Sequence, residues 1–480
     1  MSGKKLWGPV LLVVLGCMTG LVVATSASAA ALSFAPARHF AAGPGPVALA
    51  VGDLNGDDRP DLVTASSKGD SVRVLLGNGR GGFASGPLSR FATGADPASL
   101  ALADFNGDGK LDVVTGNGTD AMISVLLGSG DGGFVSRTDF AVGPAPLLPS
   151  PMVVAVGDFN GDGHPDVVAC DQPWGESPWW EAGVLLGDGA GGFAPRIGVP
   201  AITASCRDIA VGDFNGDGKQ DLVTAFNEPL DEQGAGVLLG DGSGHFSAMT
   251  LYSTHLEPFA VAVGDLNGDG KEDLVAPQTL EGTGELEVLL GDGGGGFAGA
   301  PGGDVVITNN GGPPSGLALG DFDGDGRQDV ASALGMRALV LRGDGKGGLS
   351  KAVAFPVGAH PVRLVAADFN GDRMLDLATA DYAENSVSVL LNGPRAAPML
   401  RDLTPCQGRL GAVITLTGAR FGASRGASVV RFGAATAVSY AAWSATRIKV
   451  RVPPGTAKGW VKVTMRTVAG RSAGKSFRRL

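Results

Sequence analysis

Residues 104–112 read DFNGDGKLD and place Asp104, Asn106, Asp108 and Asp112 within nine positions. Near copies recur as DLNGDDRPD (53–61), DFNGDGHPD (158–166), DFNGDGKQD (213–221), DLNGDGKED (265–273), DFDGDGRQD (321–329) and DFNGDRMLD (368–376), with starts 47 to 56 residues apart. Each copy follows an alternating apolar run such as VALAVGD and precedes another such as LVTAS; a third run then closes on a glycine-rich turn, as in VRVLLGNGRGGF. Short alternating runs bounded by Gly, Asn and Asp are strands, and no segment carries a helical period. Each repeat therefore predicts a four-stranded antiparallel sheet. One such sheet cannot bury both faces, so the copies must pack side by side, and radial closure leaves only short protected edges. Seven copies predict an all-β chain built on a seven-bladed β-propeller.

The seventh copy tests this reading. After SVSVLLNGP (386–394) the pattern stops without a fourth strand, whereas FAPARHFAAG (34–43) matches the spacing of FVSRTDFAVG (134–143) and LSKAVAFPVG (349–358). Residues 32–43 are expected to pair with the strand at 387–391 and close the ring.

Side chains at alternate positions of a tight loop can converge on one hard divalent cation, which takes several oxygen ligands. In the second copy the ligands are Asp104, Asn106, Asp108, the carbonyl of Lys110, and Asp112. The same positions are Asp53, Asn55, Asp57, Arg59 and Asp61 in the first copy, and Asp158, Asn160, Asp162, His164 and Asp166 in the third. They are Asp213, Asn215, Asp217, Lys219 and Asp221 in the fourth, and Asp265, Asn267, Asp269, Lys271 and Asp273 in the fifth. The sixth has Asp321, Asp323, Asp325, Arg327 and Asp329, and the seventh Asp368, Asn370, Asp372, Met374 and Asp376. Carboxylates, an amide and a carbonyl, without His or Cys side chains as ligands, select Ca²⁺ over zinc or copper, and the octahedral demand of Mg²⁺ disfavours it. The expectation is up to seven structural Ca²⁺. Asx turns favour the same residues, but not seven times with all four side-chain positions kept. The sixth loop position is Asp58 in the first copy and Arg373 in the seventh, where five copies have glycine; a left-handed backbone there makes the 368–376 site the weakest.

With its acidic loop between the first two strands and its GGFA turn, the repeat resembles the FG-GAP and VCBS repeats of integrin α-subunit propellers and many bacterial exported proteins, over about residues 32–396. That resemblance implies structural Ca²⁺ on one face and ligands met elsewhere, with no particular ligand or reaction implied. From about Pro398 the acidic loops stop and the charge turns basic. The segments LTPCQGRLGAVITLTGARFGA, SVVRFGAATA, RIKVRVPPG and GWVKVTMRTVAG resemble an IPT/TIG immunoglobulin-like β-sandwich. The expected domains are a signal peptide at 1–29, the propeller at 30–396 and the IPT/TIG domain at 397–480.

The chain has 480 residues, 44% hydrophobic and 18% charged, with a formal charge of −11, which argues against a nucleic-acid partner. Lys4 and Lys5, an apolar run and Ala27-Ser28-Ala29 read as an export signal cleaved after Ala29. The alternatives are a membrane anchor, for which the run is short, and a lipoprotein attached at Cys17. No other segment is long and apolar enough to span a membrane, so a secreted monomer is expected.

The longest connection on the face opposite the acidic loops, CDQPWGESPWWEAG, carries Trp174, Trp179 and Trp180; these either contact a glycan or protein ligand or pack on themselves. Cys170 and Cys206 lie in connections on the same face and are expected to form a disulfide, leaving Cys406 as a thiol. No catalytic constellation stands out. The five histidines fall in different repeats, and GASRG around Ser424 sits in a domain without histidine. GDGAGG lacks the lysine and helix start of a phosphate loop. The function expected is extracellular binding or adhesion, the alternatives being a lectin using the tryptophan loop or a polysaccharide-active enzyme.

Overall fold

The structure is a computed structural model. It describes residues 32–480 save for 85–88, 120, 144–150, 172–181, 200–204, 228–232, 254–257, 281–282, 303–304, 310–313, 394–398, 420, 422–427, 445 and 468–469. Among the described residues the chain is almost wholly β, with a single 3-10 turn at Ser67–Gly69. Among the described residues no helix is long and apolar enough to cross a membrane.

Seven antiparallel sheets precede the C-terminal domain among the described residues. Their first strands are Pro46–Gly52, Pro97–Ala103, Met152–Gly157, Ser205–Gly212, Ala262–Gly264, Ser315–Gly320 and Pro361–Ala367. Each first strand contacts that of the next sheet, and the seventh contacts the first, so the sheets close into a propeller. The second strands Asp61–Ser66, Asp112–Asn117 and Asp376–Asp381 are buried at every position. They read as continuous apolar or small runs because both faces of each sheet lie under neighbouring sheets.

The N-terminal strand closes the ring. Arg38–Ala41 pairs antiparallel with Ser386–Leu390, in the register Arg38 to Val389 through Ala41 to Ser386. The pairing continues outward through a bridge between Phe34 and Asn392.

Small residues crowd the inner strands, and three charged side chains interrupt them: Arg207, Asp208 and Arg363. Arg363 of the seventh sheet reaches Asp208 of the fourth at 3.3 Å, and Asp208 also accepts the Val261 N–H at 3.2 Å. This pair ties non-adjacent sheets together. Burial pushes the Asp208 carboxyl up against the opposing pull of Arg363.

The C-terminal domain is a two-sheet sandwich. One sheet orders Met399–Thr404, Val413–Ala419, Arg447–Arg451 and Tyr440–Trp443; the other is built around Gly459–Thr467, flanked by Lys475–Arg479 and Val429–Phe432. Ile414, Leu416, Ile448, Val450, Val463, Met465 and Phe477 fill the space between them. Alternation along Arg447–Arg451 puts Ile448 and Val450 inside and the three basic residues outside.

Candidate metal loops and the junctions between sheets

Each acidic loop joins the first two strands of its sheet, and its first carboxylate organises the turn. Asp158 Oδ1 accepts the N–H groups of Gly161 and Asp162 at 2.8 and 3.1 Å, and Oδ2 accepts that of Gly163 at 2.9 Å. Asn160 Oδ1 accepts the Asp162 N–H, and Asp162 Oδ1 the His164 N–H. This pattern requires left-handed backbone at the fourth and sixth positions. Glycine supplies it at φ of 73° and 83° for Gly161 and Gly163, while Asp58 and Arg373 adopt φ of 60° and 69° at the sixth position of their own loops.

The ninth-position aspartates, Asp61, Asp112, Asp166, Asp221, Asp273, Asp329 and Asp376, are fully buried. Each spans two elements. Asp112 Oδ2 accepts the Phe105 N–H at 2.9 Å, and Oδ1 accepts the Gly128 N–H at the end of the third strand at 2.6 Å. Sequence spacing marks this residue only as a candidate metal ligand; in the structure it fastens the loop to the sheet. Each Asp112 oxygen keeps a further acceptor site. Burial, with added repulsion from the other loop carboxylates, raises Asp376 to about 7 and Asp61 and Asp329 to about 6. At the rim the backbone works the other way: the Lys219 N–H holds Asp217 below the usual carboxylate range, and the His164 N–H does so for Asp162.

The donor chemistry fits a hard divalent cation. In the 321–329 loop the carboxylate oxygens of Asp321, Asp323 and Asp325 lie within 4.8 Å of one another. Asp323 is 3% exposed, and its Oδ2 has no hydrogen-bond partner. In the other six loops the third position is an amide. Exposed Arg59, Lys110, Lys219, Lys271 and Arg327 lie 3.1 to 4.0 Å from the fifth-position aspartates of their own loops. Such surface pairs contribute about 0–1 kcal/mol each, so they soften the repulsion without removing it. The seventh loop departs from the others: Asn370 turns its amide to donate to Asp376 Oδ2 at 3.0 Å.

The glycine-rich turns of five sheets reach into the preceding sheet's loop. The N–H groups of Gly132, Gly191, Gly244 and Gly295 donate to the carbonyls of Leu54, Phe105, Phe159 and Phe214, and Gly81 donates to Phe369 across the ring closure, at 2.8 to 3.1 Å. The turn phenylalanines stack edge-on against loop phenylalanines, as in Phe193 with Phe105 at 5.7 Å and Phe83 with Phe369 at 5.4 Å. A cation that orders one loop therefore orders the contact surface of the next sheet.

Between the sixth and seventh sheets no such turn exists, because the N-terminal strand supplies the outer edge. Asn392 replaces it, donating Nδ2 to the Phe322 carbonyl at 2.7 Å and to the Leu375 carbonyl at 3.0 Å. Phe34 takes the place of the turn phenylalanine, 6.5 Å from Phe322. The leucine that packs under the following turn elsewhere, such as Leu76 under Gly132, is Arg342 here. Its guanidinium lies 3.7 Å from the buried Asp323 Oδ2. A cavity of about 460 Å³ opens beside the pair, lined in part by Asp325, Arg327, Asp344 and Ser350. The sequence signal for this seam was the joint departure of Asp323 from Asn and of Arg342 from Leu within one repeat.

Two expectations on the opposite face fare differently. Trp174, Trp179 and Trp180 lie outside the described residues. The Cys170–Cys206 disulfide is not formed: both residues are buried in one apolar cluster with Val153, Val184 and Ile209. Cys206 Sγ takes the Thr224 hydroxyl at 3.2 Å. These residues pack as small apolar side chains in the junction between the third and fourth sheets.

Comparison with known proteins agrees with this architecture. FG-GAP-like repeats match residues 53–115 and 104–169, FG-GAP repeats match 207–239 and 258–296, and an IPT/TIG domain matches 398–478. No curated protein sequence matches the chain. Among solved structures, a lectin of Agrocybe aegerita described as recognising non-reducing terminal N-acetylglucosamine is 20% identical with a TM-score of 0.46, covering 74% of this chain and 86% of its own. The Cps50 (Swd1) β-propeller domain of Myceliophteria thermophila is 8% identical with a TM-score of 0.48, covering 75% and 99%. The V. cholerae biofilm matrix protein Bap1 is 14% identical with a TM-score of 0.36, covering 73% and 88%. On its family matches, the chain is an FG-GAP repeat protein with a C-terminal IPT/TIG domain.

Proposed function

We propose that this chain is an exported binding and adhesion module whose propeller is braced by structural Ca²⁺ in its acidic loops and whose opposite face meets an extracellular protein or glycan. The observation that carries the calcium reading is the 321–329 loop, where three carboxylates converge and a buried Asp323 oxygen has no hydrogen-bond partner. Arg342 approaches that oxygen at 3.7 Å, beyond hydrogen-bond reach, so a cation among the three carboxylates would still compensate buried charge that is otherwise costly. Because six of the seven loops are bonded to the neighbouring sheet, coordination energy would act on the closure of the ring and not on one turn alone. The loop residues act as ligands and fasteners, and the reading assigns them no catalytic step. Adhesion fits a propeller joined to an immunoglobulin-like module, and export fits the apolar N-terminal stretch ending at Ala29.

The test is thermal unfolding of the purified protein in chelator and in millimolar Ca²⁺ or Mg²⁺. A rise of ten degrees or more with Ca²⁺, and a much smaller rise with Mg²⁺, is expected. A melting temperature indifferent to calcium sinks the reading.

A further inference from the structure

Residues 399–480 hold fifteen of the 37 basic residues and one of the 48 acidic residues, Asp402. That is a net +14, against −25 for the remainder of the chain. On the Gly459–Thr467 strand, Val463 and Met465 point into the core while Trp460, Lys462 and Arg466 are exposed. Residues directly opposite one another on paired strands share a face. The register therefore places Arg478 beside Trp460, Arg431 beside Thr464, and Arg471 beside Arg466. Arg431, Arg471 and Arg478 are exposed as well. Like charges set opposite each other destabilise a sheet by a few tenths of a kcal/mol or more, and no acidic residue stands on any strand of this one. Trp460 is 67% exposed beside Arg478 and stacks on no ring among the described residues. Arg471 donates to the Thr464 hydroxyl at 3.1 Å, but the gathering of like charges on one face brings the sandwich no acidic partner on these strands.

We infer that this outer face binds an acidic polysaccharide chain, its carboxylate or sulfate groups paired by Lys462, Arg466 and their arginine neighbours and a sugar ring laid on Trp460. Alternate residues of a strand stand about 7 Å apart, so the cations form a line that an extended polyanion can follow. Among the described residues the face carries no helix to enter a nucleic-acid groove. A duplex would also bring its dense phosphates against the −25 of the remaining chain, whereas a thin glycan reaches the sheet alone. A single exposed aromatic gives a membrane too little apolar area to bury. The inference stands on the C-terminal domain and does not need calcium in the propeller.

The full-length protein is titrated with dextran sulfate, polygalacturonate, neutral dextran, a single-stranded DNA oligomer of matched charge, and phosphatidylglycerol vesicles. Binding to the two acidic glycans, absence of binding to neutral dextran, and a loss on the order of a hundredfold between 50 and 200 mM salt are expected. Lys462→Glu with Arg466→Glu weakens binding at least tenfold. Trp460→Ala weakens it several-fold without changing the salt slope, and Lys351→Glu on the propeller leaves it intact. Circular dichroism confirms that each variant is folded. Failure to bind either acidic glycan at low salt, or binding indifferent to the Lys462 and Arg466 reversals, overturns the inference. So does tighter binding to the oligomer or the vesicles, or salt-sensitive self-association that saturates this face with a second copy.

Discussion

The junction between the sixth and seventh sheets and the regular junctions solve one packing problem with different residues. At a regular junction a turn N–H, a phenylalanine ring and a leucine side chain lock one sheet to the loop before it. At the seam the same contacts come from Asn392, from Phe34 roughly 350 residues away in sequence, and from Arg342 with Asp323. The difference teaches that the contact surface is the conserved quantity of the architecture, while the chemistry that fills it follows from where the chain starts and leaves the ring.

The comparison breaks most severely if the seam loses its N-terminal contribution. Deleting residues 32–41 leaves the seventh sheet with three strands and an open edge; the expected outcome is loss of cooperative unfolding and concentration-dependent aggregation, read by calorimetry and light scattering. Next in size, Arg342→Leu makes the seam resemble a regular junction but strands the buried Asp323 charge. In metal-free protein it should cost about 1–3 kcal/mol, most of it restored by adding Asp323→Asn, and a double-mutant cycle in denaturant measures that coupling. Asn392→Ala removes two buried hydrogen bonds and should cost about 1–3 kcal/mol, whereas alanine at exposed Arg80 in a regular turn should cost little.

The pH response of metal-free protein sharpens the contrast further, since Asp376 and Asp329 both flank the seam. Their folded pKa values, about 7 and 6, lie above the ordinary 3.8, so the folded state holds these protons more tightly than the unfolded chain. That stability is complete below about pH 4 and is lost as pH rises through 6 to 7. In chelator the protein should melt several degrees higher at pH 5 than at pH 8; in saturating calcium the order should reverse, because protons then compete with the cation. The smallest effect expected is a gain: Arg373→Gly places glycine at φ 69° and should stabilise by about 0.5–1 kcal/mol, seen as a small upward shift of the denaturant midpoint.

The acidic loops were largely legible because their turn chemistry is local. Asp, Asn and Gly at fixed offsets specify the turn, so the loop from Asp53 to Asp61 and each later copy could be read from spacing, including the left-handed Arg373. The ninth-position aspartates were half legible. Spacing marked their carboxylates as candidate ligands, but their bonds to the ends of third strands, such as Asp112 to Gly128, join residues that only the folded sheet brings together. The cysteines misled for the related reason that two residues placed on one face by topology still need a particular Cα separation and direction to bridge. Cys170 and Cys206 instead sit within a packed apolar junction.

Sequence alone settled that this is a repeated β architecture with acidic loops and a basic sandwich, because alternation, turn chemistry and charge are properties of short stretches. Tertiary structure decided how the ring is sealed, which carboxylates are buried, and which cations share a face. Those outcomes depend on contacts between residues tens to hundreds of positions apart, and only the closed ring and the paired registers of its strands set them.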